Sequence, residues 1–270
     1  AARAFFEDNF RLRQVDGEGL LTGYFVPEYE ARNAPIPPFT AAVRPKPADL
    51  PTRGGVYADR ATIEATPPDV ALAWMRPEDL FFMQIQGSGV LDLPDGRRLR
   101  ASFSASNGKP FVGLARVMRE QGLLADKDSS QQAIHAWLAA HRGPEADAVM
   151  RRNPRYVFFK VAPDDGEQPA GAAGVPLPPG RSLAVDATRH AMGELYWIDA
   201  SAPALTGAFP AYRRLAVALD VGGAIKGEVR ADLYMGRGDA AGREAGRVRH
   251  ALRMYRLTPR GSGALASARP

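Results

Sequence analysis

From Leu215 the chain reads LAVAL, an unbroken apolar run that ends at Asp220 and a glycine turn, Gly222 and Gly223. Beyond Gly227 a period of two takes over: Arg230, Asp232 and Tyr234 fall on one face of a strand, Leu233 and Met235 on the other. Short apolar or alternating runs closed by glycine or proline predict strands. They recur at RSLAVD (181–186), ELYWID (194–199), RRLAVALD (213–220) and RMYRLTP (253–259). Upstream, GEGLLTGYFVPEYE (17–30) predicts a strand pair, LFFMQIQGSGVLDL from Leu80 a strand-like run, and YVFFKVA (156–162) a buried strand. Asp95-Gly96 predicts a hairpin turn. Helical spacing is confined to the middle: 111–123 behind Pro110, 130–141 capped by Ser129 or Ser130, and a short helix from Pro144.

The connecting segments suggest how these elements are grouped. Residues 34–55 are too proline-rich for regular structure and predict an extended covering loop. Residues 163–180 (PDDGEQPAGAAGVPLPPG) form a loose linker and the best single candidate for a domain boundary. The tail GSGALASARP has little apolar bulk and is expected to fray. A first block of strands, a mixed centre and a last all-β block describe a mainly β protein with a central insertion. With 270 residues it makes one large domain or two ordinary ones, and at 45% hydrophobic it can bury a core.

Composition removes several function classes. There is no cysteine, which excludes disulfides, thiolate metal sites and a cysteine nucleophile. No run of 18 apolar residues exists to span a membrane as a helix. The first residues, AARAFFEDNF, lack a signal-peptide core, so an export signal is expected to have been removed. The formal charge of +5 is either a solvated, arginine-biased surface or an attraction for a polyanion. No basic run with interleaved aromatics or nucleic-acid-binding signature is present; a carbohydrate polymer bearing carboxylates suits the same charge.

Candidate chemistry centres on acids. Asp220 and Asp232 each sit at the mouth of a strand, twelve residues apart across a glycine-rich turn, and can face one cleft. Paired carboxylates in a cleft are usual equipment for cutting glycosidic bonds. A partly dry Asp232 near a second carboxylate would hold its proton and act as a general acid. The competing account is that both aspartates cap turns or pair with Arg230 and Arg237. Asp186, ending RSLAVD, is a third candidate with the same structural alternative. QGSGV (86–90) does not meet G-x-S-x-G, and its small residues suit a ligand's approach to backbone. GRGDAAGREAG (236–246) lacks the Lys-Ser/Thr ending of a phosphate loop and reads as turn glycines. His135, His141, His190 and His250 have no metal-site spacing, so no metal and no cofactor is expected.

Taken together, LDVGGAIKG, RADLYMGRG and the continuation AGREAGRVRHALRMYRL resemble the three-aspartate β-barrel region of the lytic murein transglycosylase A family. TGYFVPEYEA (22–31), FFMQIQGSG (81–89), SASNGKPFVGLARVMREQGLL (104–124) and NPRYVFFK (153–160) are similar to its other motifs, in the same order, over about residues 18–258. The chain departs from the pattern at GYFVP, at Phe103 and in AVDATRHAMG around Asp186. The resemblance implies a double-psi β-barrel domain formed by both chain ends, residues 1–83 and 164–270, with a smaller β-rich domain inserted at 84–163. It makes Asp232 the catalytic acid and base, with Asp220 and Asp186 supporting it. It puts glycan in a groove between the domains, with Tyr24, Gln86, Gly87, Ser88, Asn107, Tyr234 and Lys226 as substrate contacts.

The activity implied is non-hydrolytic cleavage of the β-1,4 bond from N-acetylmuramic acid to N-acetylglucosamine, leaving a 1,6-anhydro sugar. The substrate's own hydroxyl would be the nucleophile, so no enzymic nucleophile is needed. The implied setting is a periplasmic monomer held at the outer membrane by an N-terminal lipid anchor, acting on peptidoglycan strands and not on nucleic acid. Two alternatives stand beside it: an inverting hydrolase using Asp232 as acid and Asp220 as base, and a non-catalytic, expansin-like wall-binding protein.

Overall fold

The computed structural model describes residues 2–51, 55–124, 130–201 and 211–261. It divides into two units, one of residues 1–25 with 168–270 and one of residues 26–167. Ser129 and nearly all of the tail expected to fray lie outside the described residues.

In the first unit, helix α1 (Ala2–Asn9) leads into β1 (Phe10–Gln14) and β2 (Gly19–Val26). After the second unit come β9 (Ser182–Val185), β10 (Leu195–Ser201), β11 (Ala211–Val221), β12 (Arg230–Arg237), helix α7 (Gly238–Ala245) and β13 (Arg249–Pro259). The sheet runs β1-β13-β10-β11-β9-β12-β2, and β13 also pairs with β2, which closes six strands into a barrel. Leu21, Leu183, Val185, Tyr196, Ile198, Ala218, Ala231, Leu233 and Met254 fill its core. The barrel expected from both chain ends is therefore present, and the strands read from RSLAVD onward are all found.

The second unit contains β3 (Glu28–Glu30), β4 (Ala41–Val43), α2 (Arg60–Ala65), β5 (Ala73–Met75), α3 (Pro77–Gln86), β6 (Ser88–Asp92) and β7 (Arg98–Ser106). Helices α4 (Leu114–Glu120), α5 (Gln131–Ala140) and α6 (Pro144–Met150) and strand β8 (Val157–Pro163) follow. The sheet order is β3-β6-β7-β8, with β4 and β5 paired separately. The turn at Asp95-Gly96 joins β6 to β7 as expected, with Gly96 at φ +82°. Ser130 caps α5 by accepting from the Ala133 N–H at 3.1 Å.

Several expectations need correction. The run from Leu80 is not strand throughout: its first half is the end of α3, which starts at Pro77 with Glu78 and Asp79 in the first turn and stops at Gly87, φ +82°. Proline at the start, acids in the first turn and a left-handed glycine at the end are helix signals that outweigh the β-forming residues between them. Second, the first boundary lies at 25/26, not 83/84. Pro27 has no N–H to continue a ladder, and its carbonyl accepts from Val90 at 2.8 Å; β3 then pairs with β6. Residues from Ala31 to Met83 pack with Leu91, Ala101 and Phe159, so they belong to the insert's core. Third, the turn glycines of 236–246 are mostly helix α7, where Gly242 lets the Phe25 ring lie where a Cβ would be 2.6 Å away. Fourth, the helix expected over 111–123 is shorter, and the proline-rich 34–55 segment contributes β4.

One irregularity in the barrel governs the site. Strand β11 runs parallel to β9 with Ala218 opposite Leu183, then Asp220 opposite Ala184, so Leu219 is bulged out. The Leu219 carbonyl accepts from the Ala173 N–H at 3.0 Å. That contact needs Gly171, where a Cβ would stand 2.4 Å from the same oxygen. Gly171→Ala should cost about 1–3 kcal/mol of stability by overpacking. Chemical denaturation checks this, and an unchanged midpoint would mean that the strap over the bulge contributes nothing.

Candidate active site

Asp220 and Asp232 come from strands on either side of β9, and both lie in register with Ala184. Residues in register on neighbouring strands point to the same face. Without the bulge, Leu219 would face Ala184 and Asp220 would turn toward the opposite face. The two aspartates are thus one strand apart, about 9–10 Å between Cα atoms. Ala184 between them is the smallest side chain that keeps the strand regular.

Asp232 is held by a polar pair that the motif reading did not single out. The Thr22 hydroxyl donates to Asp232 Oδ1 at 2.7 Å, and Arg230 Nη2 donates to the Thr22 oxygen at 2.9 Å. Arg230 Nη1 is spent on the Leu20 and Ala231 carbonyls, at 3.3 and 2.6 Å. Arg230 therefore reaches Asp232 through a hydroxyl, a middle course between the catalytic and the ion-pair accounts. Burial raises the Asp232 carboxyl to about 6; the Thr22 bond and Arg230 oppose this, and the charge of Asp220 adds to it.

Asp220 is braced differently. Tyr24 donates its hydroxyl to Oδ2 at 2.8 Å and the Ala172 N–H donates to Oδ1 at 3.0 Å, so each oxygen already accepts. Burial first, and then Asp220, push the Tyr24 hydroxyl well above its usual range, which fixes it as a donor. The Tyr24 ring rests 5.3 Å from that of Tyr234, whose hydroxyl donates to Gln168 Oε1 at 2.7 Å. Tyr234 is fully buried and supports Tyr24, so it presents no surface for the substrate contact expected of it.

Asp186 is a turn brace. It accepts from the Gly227 N–H at 3.0 Å and from the Thr188 N–H and hydroxyl at 3.1 and 2.8 Å. Those bonds, chiefly the one from Gly227, lower its carboxyl to about 2, so it carries no exchangeable proton near neutral pH. Lys226 Nζ stands 3.9 Å from Asp186 Oδ1 and is largely exposed. The bond to Gly227 ties Asp186 to the loop between Asp220 and Asp232, a role that no spacing rule could assign.

The remaining candidates lie in the second unit. Gln86, Gly87 and Ser88 are half-buried at the junction of α3 and β6. Asn107 is fully buried: its Nδ2 donates to the Ala58 and Pro154 carbonyls at 2.9 and 2.8 Å, and its Oδ1 accepts from the Tyr156 N–H at 2.9 Å. It is a brace between loops, which corrects its assignment as a substrate contact. Among the described residues, Glu78, Asp79 and His135 bring possible metal-ligating atoms within 4.8 Å of one another. Asp79 bonds His135 at 2.7 Å and Arg76 at 3.3 Å, and Glu78 bonds Arg142 at 2.5 Å, so the arginines already balance the acids. This cluster ties α3 to α5 and the turn after it. His135 finds its acids on another helix, which spacing from His141 could not reveal.

Known proteins resemble this chain along most of its length. Residues 20–160 match the family model described as the MltA specific insert domain, and residues 181–258 match the 3D domain. The membrane-bound lytic murein transglycosylase A of Escherichia coli K12 is 34% identical, over 97% of this chain and 72% of its own length. That of Vibrio cholerae is 33% identical, over 89% of this chain and 66% of its own. A membrane-bound lytic murein transglycosylase from Agrobacterium tumefaciens superimposes with a TM-score of 0.83 at 34% identity, covering 96% of this chain and 79% of that one. E. coli MltA with bound chitohexaose gives 0.82 at 31% identity, covering 96% and 78%. With the insert and the barrel both matched, the chain belongs to the membrane-bound lytic murein transglycosylase A family.

Proposed function

We propose that the chain cleaves the β-1,4 bond between N-acetylmuramic acid and N-acetylglucosamine in peptidoglycan, with Asp232 acting first as acid and then as base. The observation that carries this is a single carboxyl, lifted to about 6 by burial, on the barrel face that it shares with a second carboxylate. Protonated Asp232 gives its proton to the glycosidic oxygen as the C1–O4 bond breaks through an oxocarbenium-like state. The carboxylate then takes the proton of the muramic C6 hydroxyl, whose oxygen closes on C1 as a 1,6-anhydro ring. The proton count balances, and Asp232 ends as it began.

Asp220 suits the part of a fixed charge. With Tyr24 on one oxygen and Ala172 on the other, it is poorly disposed to deprotonate a water, which favours this mechanism over the inverting hydrolase. Its charge raises the Asp232 proton affinity and faces the positive charge that develops on the sugar. Tyr24, Lys226 and the Gln86–Ser88 junction remain assigned to substrate contact, supported by motif likeness and partial exposure. No described helix is long and apolar enough to cross a membrane. We assign the protein to the periplasm, held at the outer membrane by an N-terminal lipid anchor; relatives named membrane-bound support the membrane association, and the monomeric state is part of the proposal alone.

The deciding experiment is mass spectrometry of a sacculus digest. Muropeptides one water lighter than hydrolytic products are expected, and reducing-end sugars in their place would overturn the mechanism. Asp232→Asn should lower the rate by at least about 10²–10⁴ with the fold intact, since an amide cannot donate and recover the proton. A variant keeping more than about a tenth of the activity would remove Asp232 from the role.

Two pH effects follow from the raised carboxyl. Activity should fall as pH rises through about 6, because the acid is lost. Thr22→Val removes a bond that favours the ionised form, so the alkaline limb should move to higher pH; a limb that stays put would show that Thr22 does not tune Asp232. For stability the sign is the reverse of the usual carboxylate case. The folded chain holds this proton more tightly than the unfolded one, so stability is lost as pH rises from about 4 to about 6 and then levels. Asp232→Asn should therefore melt above wild type at neutral pH, with the gap closing below about pH 4. Equal melting temperatures throughout would contradict a buried, raised-pKa acid.

A further inference from the structure

The second unit holds a cavity of about 310 Å³ that shares no residue with the Asp232 group. The β4–β5 pair, α2 and α6 form its walls, so every wall belongs to one unit. Its volume lies at the lower end of ligand pockets, about 300–1,000 Å³.

The lining is chemically two-sided. Arg60 is buried at the floor and fully engaged, donating to the Asn153 and Arg155 carbonyls, to Glu64 and to Gln84. Nearer the mouth lie Arg44 and Arg151. Arg44 donates to the Thr66 carbonyl at 2.5 Å. Arg151 keeps its side chain 40% exposed, 3.1 Å from Glu64 and 3.9 Å from Asp147. Glu64 already serves Arg60 and Arg151 together, at 3.0 and 3.1 Å. Asp147 is held less closely, 3.9 Å from Arg151, and burial raises its carboxyl. Three arginines against two acids leave a surplus of positive charge. Trp74, Pro67 and Pro68 supply an apolar wall.

An uncharged sugar would leave the surplus guanidinium charge unbalanced, and a doubly charged phosphate would meet more repulsion from Glu64 and Asp147 than a singly charged carboxylate does. A short peptide end satisfies all three features at once. We propose that this cavity binds the carboxylate-bearing end of a short peptide, with the carboxylate on Arg151 and Arg44, an amide N–H on Asp147, and the aliphatic stem along Trp74. The source of such a peptide rests on the proposed function: peptidoglycan strands carry stem peptides with free carboxylates. The cavity would then hold a stem while the barrel works on a glycan.

The test is calorimetric titration of the whole chain with free stem tetrapeptide, which has no glycosidic bond and is not turned over. Saturable binding is expected, weakened tenfold or more in Arg151→Glu and in Arg44→Gln, each checked for an unchanged melting curve. Arg44 also holds the Thr66 carbonyl, so if Arg44→Gln unfolds, the rim variant Arg151→Glu alone decides the outcome. Arg151→Glu should also raise KM on intact sacculi while leaving kcat on peptide-stripped glycan unchanged. No saturable binding, equal binding in Arg151→Glu, or displacement of the peptide by chitohexaose would overturn the proposal. Hydrolytic sacculus products would defeat the transglycosylase mechanism without touching the peptide titration.

Discussion

One extra residue in one strand brings the two carboxylates of the candidate site onto one face. The bulge at Leu219 lets Ala218 face the barrel core and Asp220 face outward, although only one residue separates them and Ala218 pairs with Leu183. A regular strand would give alternate residues one face, so both would point the same way. The bulge is anchored by the Ala173 N–H on the Leu219 carbonyl, while Ala172 reaches the carboxylate that the bulge turns outward. The strap 171–173 thereby fixes both the irregularity and its product. Bulges beside functional sites commonly re-aim a side chain in this way.

Around that constraint the three aspartates occupy three different electrostatic situations. Asp232 is desolvated and given one hydroxyl donor, so its proton is held to about 6. Asp220 receives a tyrosine hydroxyl and a backbone N–H. Asp186 receives two backbone N–H groups and a hydroxyl and is driven to about 2. Burial at Asp232 and three donors at Asp186 drive the two carboxyls in opposite directions, although the residue type is the same. Arg230 illustrates the economy of the arrangement. Placed directly against Asp232 it would pull the carboxyl down strongly; its engagement with Leu20, Ala231 and the Thr22 hydroxyl keeps it one atom removed.

The insert uses polar braces of the same kind for a structural end. Arg60, Asn107, Glu78 and Asp79 are buried, with His135 half-buried against Asp79, and each ties loops or helices distant in sequence. Such groups are costly to bury unless paired, and nearly all of their atoms are. This accounts for how 142 residues with short helices and a four-stranded sheet keep a defined core.

The strands of the barrel, the helices around Ser130 and Pro144, the hairpin at Asp95-Gly96 and the family are all legible in the residues alone, because periodicity, caps and turn residues are local and the motifs are contiguous. That Asp232 and Asp220 can face one cleft is suggested by a glycine-rich turn within thirteen consecutive residues, but β9 between their strands and the bulge at Leu219 are what align them. The first boundary is misplaced on that reading, because a change of sheet at Pro27 resembles one continuous strand pair. Helix α3 reads as strand, because aromatic and β-branched residues outweigh helix-end signals in a short run. The separate roles of the acids, and the use of Asn107 and Tyr234 as internal supports, emerge only once the chain is folded. Thr22 lies 210 positions from Asp232, and Ala172 lies 48 from Asp220. Donors that set a carboxyl's proton affinity come from wherever the fold brings them, and no local pattern encodes that meeting.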